Sequence, residues 1–242
     1  YVLNRVGELG VLMAVHVDDV LYAGEYQFNM EVTGGLLETF TMGEPEGTRF
    51  FYTGWHVQQT EEAMVVDQDR YLEEMDDIDT TKYWGEKNQE EEAGTEEQKT
   101  YRRGIGQLSW HVRATRPELC AEVSELATGM GKASKAQYRQ LARLVKKAKG
   151  GRPRVRYGNA GDMEDWRLVA FGDASWKSQT GGRSMGGRII LVTGKNTEGC
   201  FPVEWGSAIN KNACYSPVSG ETVVASEAGN EAQLHGAWRE GV

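Results

Sequence analysis

The chain has 242 residues, of which 39% are hydrophobic and 26% charged, and this composition excludes wholesale disorder. No run approaches the roughly 18 consecutive apolar residues that a membrane-spanning helix needs, so we expect no membrane segment. The net charge of −9 disfavours nucleic-acid binding only as an average, because residues 132–156 contain ten Lys or Arg and no Asp or Glu.

The beginning of the chain predicts a β-hairpin with two adjacent carboxylates at its tip. Residues 11–17 and 20–23 are apolar runs typical of strands, and Asp18 and Asp19 stand between them. Two charges about 4 Å apart repel by about 1 kcal/mol in water, and a divalent cation such as Mg²⁺ relieves this repulsion. The alternative is an ordinary turn, in which Asp is common. Residues 25–40 follow with a helical period.

The next segments predict a strand pair, a helix and a linker. We expect strands over residues 50–58 and 63–66, and then a helix over residues 67–75 with Asp67 as its N-cap. Residues 78–99 are polar and rich in Glu, which predicts a mobile acidic linker.

Three helices are predicted between residues 100 and 150, over residues 101–114, 118–130 and 134–149. Trp110, in the first, is interpreted as a core residue. The third turns its apolar side chains inward and its basic side chains outward. Its candidate contacts with a nucleic-acid backbone are Lys135, Arg139, Arg143, Lys146 and Lys147. The alternative for this basic face is ordinary solvation.

After Gly161 the pattern changes to strands, predicted over residues 167–172, 186–192 and 201–205, and a helix follows over residues 219–238. Asp173 ends the first of these strands, where it could also serve a simple turn. Glu221 lies near the start of the helix, where an acidic residue also gains from the helix dipole as a cap.

The cysteines favour a reducing, intracellular setting. Cys120, Cys200 and Cys214 are widely spaced and show no metal-ligand spacing.

In their order along the chain, these segments resemble the copia-type retrotransposon polyprotein, and the resemblance covers nearly all residues. The Asp18–Asp19 hairpin resembles the palm hairpin of reverse transcriptases, with His16 where that family usually has Tyr. Further collinear matches are Phe40-Thr41-Met42-Gly43, Phe50-Phe51-Tyr52-Thr53-Gly54, Asp67-Gln68-Asp69-Arg70-Tyr71-Leu72, Tyr101-Arg102-Arg103 and Thr115-Arg116-Pro117-Glu118-Leu119.

The resemblance implies an α+β fold in four parts. These are a palm remnant of reverse transcriptase (residues 1–77), the acidic linker (78–99), a helical thumb and connection (100–150) and a truncated ribonuclease H-like α/β domain (151–242).

The resemblance also implies the chemistry. Asp18 and Asp19 match two of three polymerase carboxylates, and Asp173 and Glu221 match two of about four ribonuclease H carboxylates, with Glu221 at the family's 16-residue spacing from Trp205. These four residues would bind Mg²⁺ or Mn²⁺. The missing carboxylates would lie before Tyr1 and after Val242, so we expect both sites to be incomplete.

We therefore expect a fragment of an RNA-directed DNA polymerase that has little or no activity alone. In the parent protein it would act on an RNA template and an RNA–DNA hybrid, in a cytoplasmic particle or the nucleus. Two alternatives stay open at this point: a non-catalytic nucleic-acid-binding remnant, and a decayed gene without function.

Overall fold

The computed structural model of the chain describes residues 2–5, 8–83, 85, 88–179, 183–195, 199–210 and 216–239. The fold is α+β, as expected, and its strands form three antiparallel sheets. Tyr1, Cys214 and Val242 lie outside the described residues, as do the positions predicted for the missing carboxylates.

The strands are β1 (Val2–Arg5), β2 (Glu8–His16), β3 (Asp19–Gly24), β4 (Arg49–Tyr52), β5 (Trp55–Gln59), β6 (Ala63–Asp67), β7 (Val155–Gly158), β8 (Arg167–Gln179), β9 (Arg183–Thr193) and β10 (Cys200–Ile209). The α-helices are α1 (Tyr26–Thr39), α2 (Asp69–Glu74), α3 (Thr95–Ala114), α4 (Cys120–Ala127), α5 (Lys135–Lys149) and α6 (Pro217–Arg239). Short 3₁₀ helices cover Thr81–Tyr83, Pro117–Leu119, Thr128–Met130 and Met163–Asp165.

The first sheet has the order β1-β2-β3 and carries the predicted hairpin. Strands β2 and β3 pair from Val11 with Gly24 to His16 with Asp19. Helix α1 follows at once, and a hydrogen bond of 2.5 Å between the Tyr22 and Thr33 hydroxyls ties it to β3. The predicted hairpin and helix are both confirmed.

The second sheet has the order β4-β5-β6-β7 and corrects two expectations. The single strand predicted over residues 50–58 is two strands, because Thr53 (φ 48°) and Gly54 (φ 86°) reverse the chain between them. Strand β7 was not predicted. It pairs with β6, for example Val155 with Val66, so the sheet spans the predicted segment boundary at residue 150.

The main core lies among α3, α4 and α5. Each helix contributes an apolar stripe, and the fully buried side chains include Tyr101, Leu108, Leu119 and Leu141. A capping box starts α5: Ser134 Oγ accepts from the Gln137 amide at 3.3 Å, and the Ser134 amide donates to Gln137 Oε1 at 3.0 Å.

The predicted mobile linker is an expectation that the structure overturns. Tyr83 and Ala93 are buried in the helical core, and α3 already begins at Thr95. Backbone bonds also fix this segment, since the Ala93 amide donates to the Ala133 carbonyl at 2.9 Å and the Lys135 amide to the Glu91 carbonyl at 2.9 Å. The two buried apolar side chains and these hydrogen bonds hold an otherwise polar segment against the helical core.

The third sheet has the order β10-β9-β8, and α6 packs on one face of it through Val224 and Ala228. On the other face, Trp205 enters the helical core and its indole Nε1 donates to the Val112 carbonyl at 2.7 Å. Within the described ranges, no helix is both long and apolar enough to cross a membrane.

Candidate metal and nucleic-acid sites

Asp18 and Asp19 lie at the exposed tip of the β2–β3 hairpin, as predicted. The turn itself is Val17-Asp18 rather than Asp18-Asp19, because Asp19 already pairs with His16 as the first residue of β3. Val17 has a φ of 56°, a backbone conformation that hairpin turns usually assign to glycine. The sequence thus accepts a strained residue next to two adjacent carboxylates.

The donor set at this tip fits a hydrated divalent cation. Two carboxylates supply hard oxygen ligands, and Mg²⁺ ordinarily keeps several waters when it binds to one or two carboxylates. In the described part of the chain, no group of three or more His, Cys, Asp or Glu side chains could hold a metal. Asp18 and Asp19 are therefore an exposed pair and not a closed site.

Asp173 lies inside β8 and not at a strand end, because β8 continues to Gln179. Its neighbour Gly172 faces α6, since a Cβ built there would lie 3.1 Å from Val224 Cγ1. Side chains alternate between the two faces of a strand, so Asp173 projects from the face opposite α6. The facing glycine supports this, because a Cβ at Gly187 would meet no atom within 4 Å.

Glu221 is exposed in the second turn of α6. Capping of this helix is done by two serines: the Ser216 amide donates to Ser219 Oγ at 3.1 Å, and the Ser219 amide to Ser216 Oγ at 3.2 Å. The capping alternative for Glu221 is therefore wrong. Because α6 covers the sheet face opposite Asp173, the structure does not bring the two predicted ribonuclease H carboxylates together.

The basic side chains of α5 fall into two groups. Lys135 is paired with Glu91 at 2.9 Å, and Lys147 is paired with Glu122. Arg139 donates to the uncharged Gln89 amide at 3.1 Å. Arg143 and Lys146 are exposed, and no ion pair joins either of them to another described residue.

The rest of the basic stretch is also neutralised within the fold. Its members pair with carboxylates from other segments: Lys132 with Glu92, Lys149 with Asp77, Arg152 with Glu73, and Arg156 with Glu62. Most of these ten basic side chains therefore form ion pairs with acidic residues of other segments and do not present a free charge.

A half-buried charged cluster between the third sheet and α6 was missed by sequence reasoning. Arg188 of β9 contacts Glu231 of α6 and lies 3.5 Å from Glu204 of β10, whose other oxygen contacts His235. Burial alone would raise the pKa of Glu204, but the hydrogen bond from His235 and the positive charge of Arg188 lower it. Glu231 and His235 lie on the same face of α6 as Val224 and Ala228. This spacing is the sequence signal that could have predicted the cluster.

A second missed cluster is buried beside α3. His111 Nδ1 lies 2.9 Å from Gln68 Oε1, and the Thr115 hydroxyl donates to the same oxygen at 3.0 Å. Burial lowers the pKa of His111 to about 4. The expectation for Trp110 is wrong: it is 39% exposed, and the neighbouring His111 takes the inward position.

No protein-family model, curated protein or solved structure matches the chain.

Proposed function

We propose that the chain is a piece of an RNA-directed DNA polymerase of the copia type, joined to the first part of a ribonuclease H domain. The observation that carries this proposal is the pair of exposed carboxylates, Asp18 and Asp19, at the tip of a two-stranded support. An Asp-Asp pair next to a left-handed Val17 is a costly way to build a turn, and local strain of this kind clusters at functional sites.

Asp18 and Asp19 would hold Mg²⁺ or Mn²⁺ in the whole protein. In polymerases, two metal ions about 3.5–4 Å apart activate the attacking hydroxyl and stabilise the leaving oxygen. Here the two residues supply the carboxylate oxygens, and the hairpin strands hold these oxygens at its exposed tip.

The third sheet supports the ribonuclease H part of the proposal only at the level of topology. The strands and the helix that the sequence predicts after Gly161 form an antiparallel sheet in the order β10-β9-β8 with α6 on one face, which is compatible with a ribonuclease H-like α/β domain. Asp173 and Glu221 do not fit a shared metal, since they lie on opposite sides of the sheet. We derive no cleavage step from them, and we expect no ribonuclease activity from this chain alone.

The partners that follow from the proposal are an RNA template and an RNA–DNA hybrid, met in a cytoplasmic particle or the nucleus. A second candidate function, a nucleic-acid-binding remnant that has lost its chemistry, is favoured by Arg143 and Lys146. Both are exposed, and no ion pair within the described ranges engages either of them.

Metal binding at the hairpin tests the proposal. Electron paramagnetic resonance would follow the titration of the purified chain with Mn²⁺, in an assay that contains no nucleic acid and needs no catalysis. We expect a saturable site that Asp18→Asn/Asp19→Asn abolishes.

The chain offers a matched control at another hairpin. Glu61 and Glu62 are also adjacent, exposed carboxylates in a turn, between β5 and β6. Glu61→Gln/Glu62→Gln should leave the Mn²⁺ site intact. Equal loss in both variants, or a wild-type chain without saturable binding, would overturn the proposal.

A further inference from the structure

Two clefts lie along α5, and Arg143 lines both. The smaller, of about 220 Å³, lies between α4 and α5 and contains Glu122, Glu125 and Lys147. Its two carboxylates balance Arg143 and Lys147, and Lys147 is bonded to Glu122. This cleft carries no net charge and offers no particular attraction to an anion.

The larger cleft, of about 620 Å³, has a different charge balance. Arg139, Arg143 and Lys146 line it together with Asp77 and Thr80. Asp77 is already neutralised by Lys149, whose Nζ lies 2.8 Å from Asp77 Oδ1. Arg139 is held by the uncharged Gln89 amide, and no ion pair joins it to a carboxylate among the described residues. The cleft therefore presents three cations and a hydroxyl to solvent.

These three cations form a row on one face of the helix. Positions 139, 143 and 146 have the spacing i, i+4, i+7, which places their side chains on one face. Seven residues at 1.5 Å per residue extend over about 10 Å. A nucleic-acid strand carries one phosphate per nucleotide, so a row of cations of this length can contact successive phosphates of one strand.

We propose that this larger cleft binds the phosphodiester backbone of an RNA–DNA hybrid through Arg139, Arg143 and Lys146. Lys135 and Lys147, two of the five candidates from the sequence, instead hold the fold together through Glu91 and Glu122. The inference rests on the proposed function for its choice of ligand, an RNA–DNA hybrid. Contacts to phosphates carry no base information, so binding is independent of sequence and weakened by salt.

The experiment compares two double variants that each remove two positive charges from α5. Fluorescence anisotropy would measure the binding of a short labelled RNA–DNA hybrid to the full chain in EDTA, over a series of salt concentrations. Arg143→Gln/Lys146→Gln should weaken binding about tenfold and reduce the salt slope by about 2, for two lost phosphate contacts. Lys135→Gln/Lys147→Gln should change the affinity by less than about twofold.

An equal loss of affinity in the two variants would overturn the inference. It would show that binding depends on the overall positive charge of α5 and not on this cleft. Binding that neither variant weakens, or no binding by the wild-type chain, would also overturn it. Thermal unfolding of each variant checks that the fold is kept. Because EDTA removes divalent ions, this result is independent of the Mn²⁺ titration, so the cleft and the hairpin can fail separately.

Discussion

Protonation of His111 would place a charge inside the helical core. Its side chain is fully buried, its Nδ1 is engaged with Gln68, and no partner for its Nε2 is present among the described residues. Burial is the main cause of its lowered pKa, and the nearby Arg116 adds to the effect. The neutral ring is therefore the form that the fold requires.

We expect the stability of the protein to fall between pH 6.5 and about 4 because of this residue. The pKa of His111 is lower in the folded state, so in that window the unfolded chain binds more protons. The free energy of unfolding is intact above pH 6.5 and decreases by up to about 3 kcal/mol as the pH drops. Urea unfolding over this range measures the loss.

Carboxylates also lower the free energy of unfolding as the pH falls. The test therefore compares how this free energy depends on pH in His111→Gln and in the wild-type chain. His111→Gln should remove about 3 kcal/mol of the pH dependence relative to the wild-type chain, which carries the same carboxylates. If His111→Gln lost as much stability at low pH as the wild-type chain, His111 would not be the cause of that loss.

At the residue scale, sequence reasoning located Asp18 and Asp19 at an exposed hairpin tip, since apolar runs flank both of them, and their role as metal ligands stays a prediction. The same reasoning failed for the pair Asp173 and Glu221. Whether a side chain of the strand faces the helix depends on which face of the sheet the helix packs against, and α6 packs on the face of Gly172 and Gly186.

Among the elements, the packing of α6 on the third sheet depends on those two glycines. A Cβ added at Gly186 would overlap Val224 Cγ2, and one added at Gly172 would lie 3.1 Å from Val224 Cγ1. The helix approaches the sheet this closely at Val224 because Gly172 and Gly186 carry no side chain there.

Gly186→Ala should therefore destabilise the protein by about 1–3 kcal/mol through overpacking. Val224→Ala removes the overlapping methyl groups at the cost of a cavity, so Gly186→Ala/Val224→Ala should lose less stability than the sum of the single variants. Denaturant unfolding of the four proteins in this cycle gives the coupling energy. Strict additivity would show that α6 does not contact Gly186 as described. Gly187→Ala is the control, because a Cβ there meets open space.

Long periodic elements were predictable, and short or polar ones were not. The helices α3 and α5 carry clear apolar stripes, whereas β7 is only four residues long and lies in a basic stretch. The chain reversal at Thr53-Gly54 was not predictable from the sequence pattern, because apolar residues continue on both sides of it. Such cases are decided by tertiary pairing, which local patterns do not encode.

On the scale of the whole molecule, contacts between distant segments join the second and third sheets to the helical core. Strand β7 pairs with β6 across the helical segment, and Trp205 of β10 is buried beside α3. The Ser124 hydroxyl of α4 also donates to the Ser207 carbonyl of β10. The predicted helical and C-terminal segments thus share one interior at this point.

Trp205→Ala should cost about 3–5 kcal/mol of stability, because it removes a large buried side chain and leaves the Val112 carbonyl without its donor. Trp176→Ala, at a side chain that is 41% exposed, is the matched control and should cost less than about 1 kcal/mol. Chemical denaturation followed by circular dichroism compares the two. Similar small effects would mean that the third sheet is not anchored to the helices through this residue.

The most direct test of the central claim locates the metal on the chain. Mn²⁺ broadens the amide signals of nearby residues in nuclear magnetic resonance, so a titration of the isotope-labelled protein maps where the ion binds. We predict that the first signals lost are those of His16 to Val20 at the β2–β3 tip, and that Asp18→Asn/Asp19→Asn restores them. Broadening confined to the acidic residues 89–97, or unchanged by that variant, would contradict a metal-binding role for the Asp18–Asp19 pair.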